Sequence, residues 1–188
     1  EDPLPPAPRR SLASFGTHDL PTFAGYWRGL DIGDRRRRDL IDPDEAATER
    51  RRRARWRSAL LGSLPTAGLA ALPADGAAAE ERRALAGVLG HLAAGQAEVV
   101  MVDLEDLWLE HEPQNRPGSG PEEGNFRRRA TRQLEDVVAD AGISAVLREV
   151  DARRRPELER SVGLPAEPPP ARPTGGTEPE TSDRGGRP

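Results

Sequence analysis

His18 and Asp19 are two residues whose types and placing could do chemistry. They stand in the octet "GTHDLPTF" (Gly16 to Phe23), directly after the apolar stretch "SLASF" and directly before Pro21. Two titratable groups at the end of a strand-like run, cut off by a proline, are placed as a barrel enzyme places its chemistry, at the C-terminal ends of strands. A plainer reading stays open at this point, in which Asp19 caps the next element and His18 is a bystander. The elements around the pair have to decide between them.

"SLASFGTHD" (Ser11 to Asp19) reads as a short buried strand, and "PTFAGYWRGLDI" (Pro21 to Ile32) as a helical turn leading away from it. "DPDEAATER" then has the form of a helix start, with Asp42 as N-cap, Pro43 at the first position and Glu45 three residues after the cap. Ten Arg and five acids lie between Arg35 and Arg57, at spacings that allow i,i+4 pairs such as Glu49 with Arg53. Residues 62–78 are loop-like in their Gly and Pro content. "AEERRALAGVLGHLAAG" (Ala79 to Gly95) puts Leu85, Val88, Leu89 and Leu92 at helical spacing, with Gly95 as the stop. "AEVVMVDLEDL" follows, and its run "VVMV" is expected to be a strand buried on both faces. A long Pro/Gly-rich loop should end near Asn125. Beyond it, Ala130, Leu134, Val137, Val138 and Ala141 predict one face of an amphipathic helix. A further helical stretch is expected to break before Pro156. Strand, helices, strand is the order of an α/β crossover with a parallel sheet.

Composition narrows the chemistry. All 28 cationic side chains are Arg, with no Lys, which removes a Schiff-base lysine and a G-K-[ST] phosphate loop. Cysteine is absent, so disulfides, thiol catalysis and Cys-ligated zinc are excluded, and a cytoplasmic location is the expectation. The three His are scattered, so no metal site is expected. The net charge of −4 argues against a strongly basic nucleic-acid footprint, and no apolar run is long enough to span a membrane. The chain opens on Glu1 and "EDPLPPAPRR", as a cut or processed product would. Two parts are expected: 1–162 carrying the fold and 163–188 a Pro/Gly-rich tail without a core.

Two blocks carry a family resemblance. "SLASFGTHDLPTFAGYWRGLDIGDR" resembles the seventh-strand region of bacterial 4-α-glucanotransferases (amylomaltases), and "VDLEDLWLEHEPQNRPGSGPEEGNFRRRA" resembles their last barrel strand and the loop after it. The family pattern there is a leucine–acidic–aspartate stretch, then Gln-x-Asn or Gln-Asn, x-Pro-Gly, and finally Asn-Trp-x-x-Arg. Arg116 stands where an apolar residue is usual, and Phe126 where Trp is usual. The fold class this implies is α/β: the C-terminal portion of a (β/α)8 TIM-type barrel, about two βα units with a helical insertion. The implied reaction is transfer of 1,4-α-glucan segments between maltodextrins with retention of configuration. Maltooligosaccharide donor and acceptor are then the partners, with no cofactor, no metal, no nucleic acid and no membrane.

The roles implied for this chain fall on the "THD" pair. In the family, the Asp holds sugar hydroxyls beside the cleavage point and the adjacent His donates to a neighbouring hydroxyl, which carries over to Asp19 and His18. Gln114 and Asn115 are neutral groups able to read sugar hydroxyls, on a turn fixed by Pro117 and Gly118; the other possibility is that they satisfy backbone groups in a tight loop. Trp27 and Trp108 could stack on sugars or simply pack. Asp103, Glu105 and Asp106 are expected to cap helices and anchor loops. The family's nucleophilic Asp and acid/base Glu come from earlier strands, so this chain alone is not expected to complete the reaction. Two other readings remain: an α-amylase-type glycoside hydrolase, and an Arg-rich interaction module.

Overall fold

The computed structural model of the protein describes residues 3–64, 69 and 78–162. Its sheet is a parallel pair, β1 (Leu12–Ala13) beside β2 (Val99–Val100), in the register Leu12 to Val99 and Ala13 to Val100. Between them run α1 (Phe23–Arg28), α2 (Leu30–Arg37), α3 (Pro43–Ser63) and α4 (Ala79–Ala94). After β2 come two 3-10 turns (Glu105–Trp108 and Pro121–Glu123), then α5 (Leu134–Ala139) and α6 (Ala141–Val162). The crossover expected from the sequence is therefore present, as two parallel strands each followed by helix. Among the described residues the sheet holds these two strands, and an eight-stranded barrel is not visible.

Local chemistry explains most helix ends. Asp42 Oδ1 accepts from the Asp44 and Glu45 amides, both at 2.8 Å, and Glu45 Oε2 accepts from the Asp42 amide at 2.9 Å. This is the capping box expected from the sequence, with Pro43 opening the helix. Removing the cap with Asp42→Ala should cost about 1 kcal/mol of stability, read as a lower urea midpoint with an unchanged slope; an unchanged midpoint would contradict it. Gly29, at φ +72°, ends α1 and begins α2 in one residue, and the left-handed conformation there favours glycine.

The core lies between α4 and α6 and extends to α1. Phe23, Ala24 and Trp27 from α1 meet Leu85, Val88 and Leu89 from α4 and Val146 and Val150 from α6 in one buried cluster. α4 keeps the stripe read from its spacing, and Gly95 stops it.

Several expectations change. The first strand, read as Ser11 to Asp19, pairs only at Leu12–Ala13, because its one neighbour offers a ladder two residues long. The "VVMV" run is not buried on both faces: Val99 and Met101 are exposed, since β2 has a single strand beside it. Glu49 pairs with Arg35 rather than Arg53, and Arg53 forms a fork with Asp31 at 3.0 Å on both arms. These tertiary pairs between α2 and α3 replace the local ones because bidentate geometry in a half-buried seam is the stronger arrangement. Ala130 lies outside any helix, and Leu134 and Val138 are exposed on a six-residue α5, leaving Val137 as its buried residue. α6 runs through Pro156 without the expected break, at the loss of one backbone hydrogen bond. Most of the expected 62–78 loop and the whole 163–188 tail lie outside the described residues. Among the described residues no helix is long and apolar enough to cross a membrane.

Candidate functional site

Phe15 fixes the exit of β1. Its ring packs edge-on to Phe23 at 5.1 Å and to Tyr26 at 6.0 Å, and the chain then turns outward. The Leu20 amide donates to the Thr17 carbonyl at 2.9 Å, so His18 and Asp19 are the two central residues of a turn. Both are solvent-facing, with side chains 65% and 55% exposed. The helix that follows is capped by Thr22, whose Oγ1 accepts from the Gly25 amide at 3.1 Å. Asp19 is therefore not a helix cap, and that part of the plainer reading of the octet falls away.

A second segment reaches this turn from the far end of the chain. Asn115 Nδ2 donates to Asp19 Oδ1 at 2.6 Å, across a sequence separation of 96 residues. Asp19 Oδ2 faces His18 Nε2 at 3.5 Å. One carboxylate oxygen is thus held by a carboxamide and the other lies toward an imidazole, while the group stays open to solvent. Such a rim of acceptors and donors suits a ligand rich in hydroxyls.

The loop that carries Asn115 is built by its own hydrogen bonds. The Ser119 amide and hydroxyl both donate to the Arg116 carbonyl, at 3.1 and 2.6 Å. Gly118 sits at φ +76°, so Pro117 and Gly118 occupy the positions they favour in a type II turn. Asn125 closes the loop by accepting from the Arg116 amide at 3.0 Å and donating to Ser119 Oγ at 2.8 Å. The Phe126 amide then donates to the Gln114 carbonyl at 2.8 Å. Arg116 does not disturb this arrangement. Its guanidinium leaves the loop toward Glu112 at 2.6 Å and Asp34 of α2 at 3.5 Å.

Gln114 and Asn115 diverge. Gln114 Nε2 donates to Glu105 Oε2 at 3.1 Å, the same oxygen that accepts from Arg128 at 2.6 Å. Gln114 therefore anchors the loop from below, and Asn115 alone of the two reaches Asp19. Asp103 Oδ1 accepts from the Glu105 amide at 3.0 Å, and Asp106 Oδ1 accepts from the buried Phe23 amide at 2.7 Å. All three carboxylates of "VDLEDL" are thus engaged in capping and anchoring, as expected. Burial pushes the Asp106 carboxyl up to about 7, against the pull of the Phe23 amide and with help from the Asp103 and Glu105 charges.

Sequence reasoning passed over Glu110. It is buried, and it accepts from the His111 amide at 2.9 Å, the Glu112 amide at 3.1 Å and Thr131 Oγ1 at 2.8 Å. Burial alone would raise its carboxyl, yet these bonds and Arg128 outweigh it and hold the group below the ordinary glutamate value. The two amides are backbone groups that any non-proline residue would supply, so the residue types around Glu110 carry no signal of them. Trp27 is buried and stacks on Phe23 at 5.8 Å, and Trp108 donates to Thr131 at 3.1 Å; both take the packing role. A cavity of about 520 Å³ below the turn is lined by Leu12, Phe15, Tyr26, Trp56 and Leu92 among others, and contains neither His18 nor Asp19. Among the described residues no group of His, Asp or Glu has the arrangement of a metal site.

Comparison with known proteins bears on the same two segments. The family model described as 4-alpha-glucanotransferase matches residues 2–135, which include the His18–Asp19 turn and the whole Asn115 loop. The chain belongs to the 4-alpha-glucanotransferase family. Relatives named 4-alpha-glucanotransferase occur in Mycobacterium bovis and in two strains of Mycobacterium tuberculosis, each 31% identical over 150 residues. That alignment takes in 75% of this chain and 20% of each relative, so the chain spans about a fifth of their length. The family match ends within α5, and α6 lies beyond it. Both places where this member of the 4-alpha-glucanotransferase family departs from the pattern, Arg116 and Phe126, fall in the loop and leave the Asp19–Asn115 contact in place.

Proposed function

We propose that this chain supplies the part of a retaining 4-alpha-glucanotransferase active site that grips the glucan beside the bond being cleaved. The observation that carries the reading is the 2.6 Å bond from Asn115 to Asp19. It joins the two segments that resemble the family, and it fixes an exposed carboxylate where a sugar can reach it. In this reading the chain is the C-terminal portion of a (β/α)8 barrel, β1 and β2 are two of its strands, and the site lies at their C-terminal ends.

The chemistry follows from the groups present. Retaining transfer uses one carboxylate as nucleophile and a second as acid/base, through an oxocarbenium-like transition state. Neither role is assigned to a residue of this chain, because Asp103, Glu105, Asp106 and Glu110 are engaged in structural hydrogen bonds. Asp19 instead accepts hydrogen bonds from ring hydroxyls. These bonds tighten as positive charge develops on the sugar, and contacts of this kind supply several kcal/mol. His18 donates to a neighbouring hydroxyl, and Asn115 keeps the carboxylate from rotating away. α-Glucan donor and acceptor are the partners, and the cytoplasm, where maltodextrins are processed, is the compartment that fits them.

A chimera tests the reading: this chain replaces the matching fifth of the M. tuberculosis relative, and maltotriose is the substrate. The expected product is a ladder of longer maltodextrins with release of glucose. Glucose and maltose without a ladder would indicate a hydrolase instead, and no turnover by a folded chimera would reject the assignment.

A further inference from the structure

Phe126 is 62% exposed, yet the loop holds it firmly. Its φ is +58°, in the left-handed region where a Cβ is unfavourable by roughly 1–2 kcal/mol. The conformation is kept by the bond from its amide to the Gln114 carbonyl at 2.8 Å, and by the turn from Gly124 to the Arg127 amide at 2.9 Å. A loop that spends strain to bury an aromatic ring is ordinary; this one spends it to present the ring to solvent. The ring lies 5.7 Å from the imidazole of His18, at an interplanar angle of 59°. It therefore borders the His18–Asp19–Asn115 rim, and supplies the flat apolar surface that the rim lacks.

A pyranose ring has the complementary make-up. Its hydroxyls point outward around the edge, and one face presents a patch of C–H groups that packs on an aromatic ring. We infer that Phe126 is the floor of a sugar subsite, taking one glucose unit of an α-1,4-glucan against its exposed face while His18 and Asp19 engage hydroxyls at that unit's edge or its neighbour's. The inference rests on the α-glucan reading above and deepens it by naming a specificity-determining contact. Strain locked into an exposed loop position is a common mark of such functional presentation.

The test is a titration of the chimera, isotopically labelled only in the segment that this chain supplies, with maltohexaose, followed by backbone amide shifts. In the parent, the amides of His18, Asp19, Asn115 and Phe126 should move together. Phe126→Ala should weaken binding by about 5-fold or more, as expected for loss of an aromatic stacking surface. Phe126→Leu keeps apolar bulk without the flat face and should weaken it similarly, whereas Phe126→Trp should bind at least as tightly as the parent. If maltohexaose still moves Asp19 and Asn115 while Phe126→Ala or Phe126→Leu binds like the parent, the platform is wrong and the glucan reading stands. If none of these amides moves in the parent, the glucan reading itself fails and the platform falls with it.

Discussion

Asp19→Asn in the chimera is expected to lower maltotriose disproportionation by about 100-fold or more, on the scale of tenfold per 1.36 kcal/mol of barrier. The carboxamide introduced is nearly the same shape and can still accept the hydrogen bond from Asn115. It cannot bring a negative charge to the edge of a sugar that is becoming cationic, and hydrogen bonds to a charged acceptor are roughly twice as strong as neutral ones. The loss should fall on kcat more than on KM, because the missing interaction grows in the transition state. Folding should be untouched, since the side chain is more than half exposed and caps no helix. Asn115→Ala, which frees the carboxylate without removing it, should cost less than the Asp19 change. A ladder that survives Asp19→Asn would reduce the pair to scaffolding.

Asp106 gives the second large effect, this time on stability. Its carboxyl titrates near 7 in the folded chain and near 4 when unfolded. Between those values the folded state keeps a proton that the unfolded state has released. The contribution of Asp106 to stability is therefore fully retained below about pH 4 and is lost as the pH rises toward 7, by up to about 4 kcal/mol. Urea midpoints measured from pH 4 to pH 8 should decline across that window. Asp106→Asn keeps an acceptor for the buried Phe23 amide and abolishes the ionisation, so its profile should be flatter and its stability at pH 8 higher than the parent's. Asp106→Leu removes the acceptor and should lose about 1–3 kcal/mol through the orphaned amide. A parent whose stability is level across the whole range would overturn this account.

What the sequence made legible was chemistry confined to a few neighbouring residues. Asp42, Pro43 and Glu45 announce a helix start because all three partners lie within one turn. Pro117 and Gly118 announce their turn for the same reason, and the α4 stripe repeats often enough to be read. Partner choice was harder wherever a distant segment competed. Glu49 has Arg53 one turn away yet takes Arg35 from another helix, and the order of charges cannot reveal that seam. Leu134 and Val138 have helical spacing yet stand exposed. At the site, types and turn positions were readable for His18, Asp19 and Asn115, but their meeting was not. Nor was the separation of Gln114 from Asn115, which depends on where Glu105 and Arg128 stand. Phe126 looked like a mere substitution in a motif; only its backbone conformation and exposure mark it out.

The bond from Asn115 to Asp19 also sets a clock on biosynthesis. The donor follows its acceptor by 96 residues, and translation proceeds at about 5–20 residues per second. The first half of the His18–Asp19–Asn115 rim therefore waits about 5–20 s on the ribosome before its second half exists. β2 in turn follows β1 by 87 residues, from Leu12 to Val99, so β1 emerges well before its hydrogen-bonding partner, and an unpaired strand edge invites pairing with other chains. Slow codons between the two segments would lengthen that exposure, so the yield of soluble protein should respond to synonymous changes there that leave every residue of the rim intact.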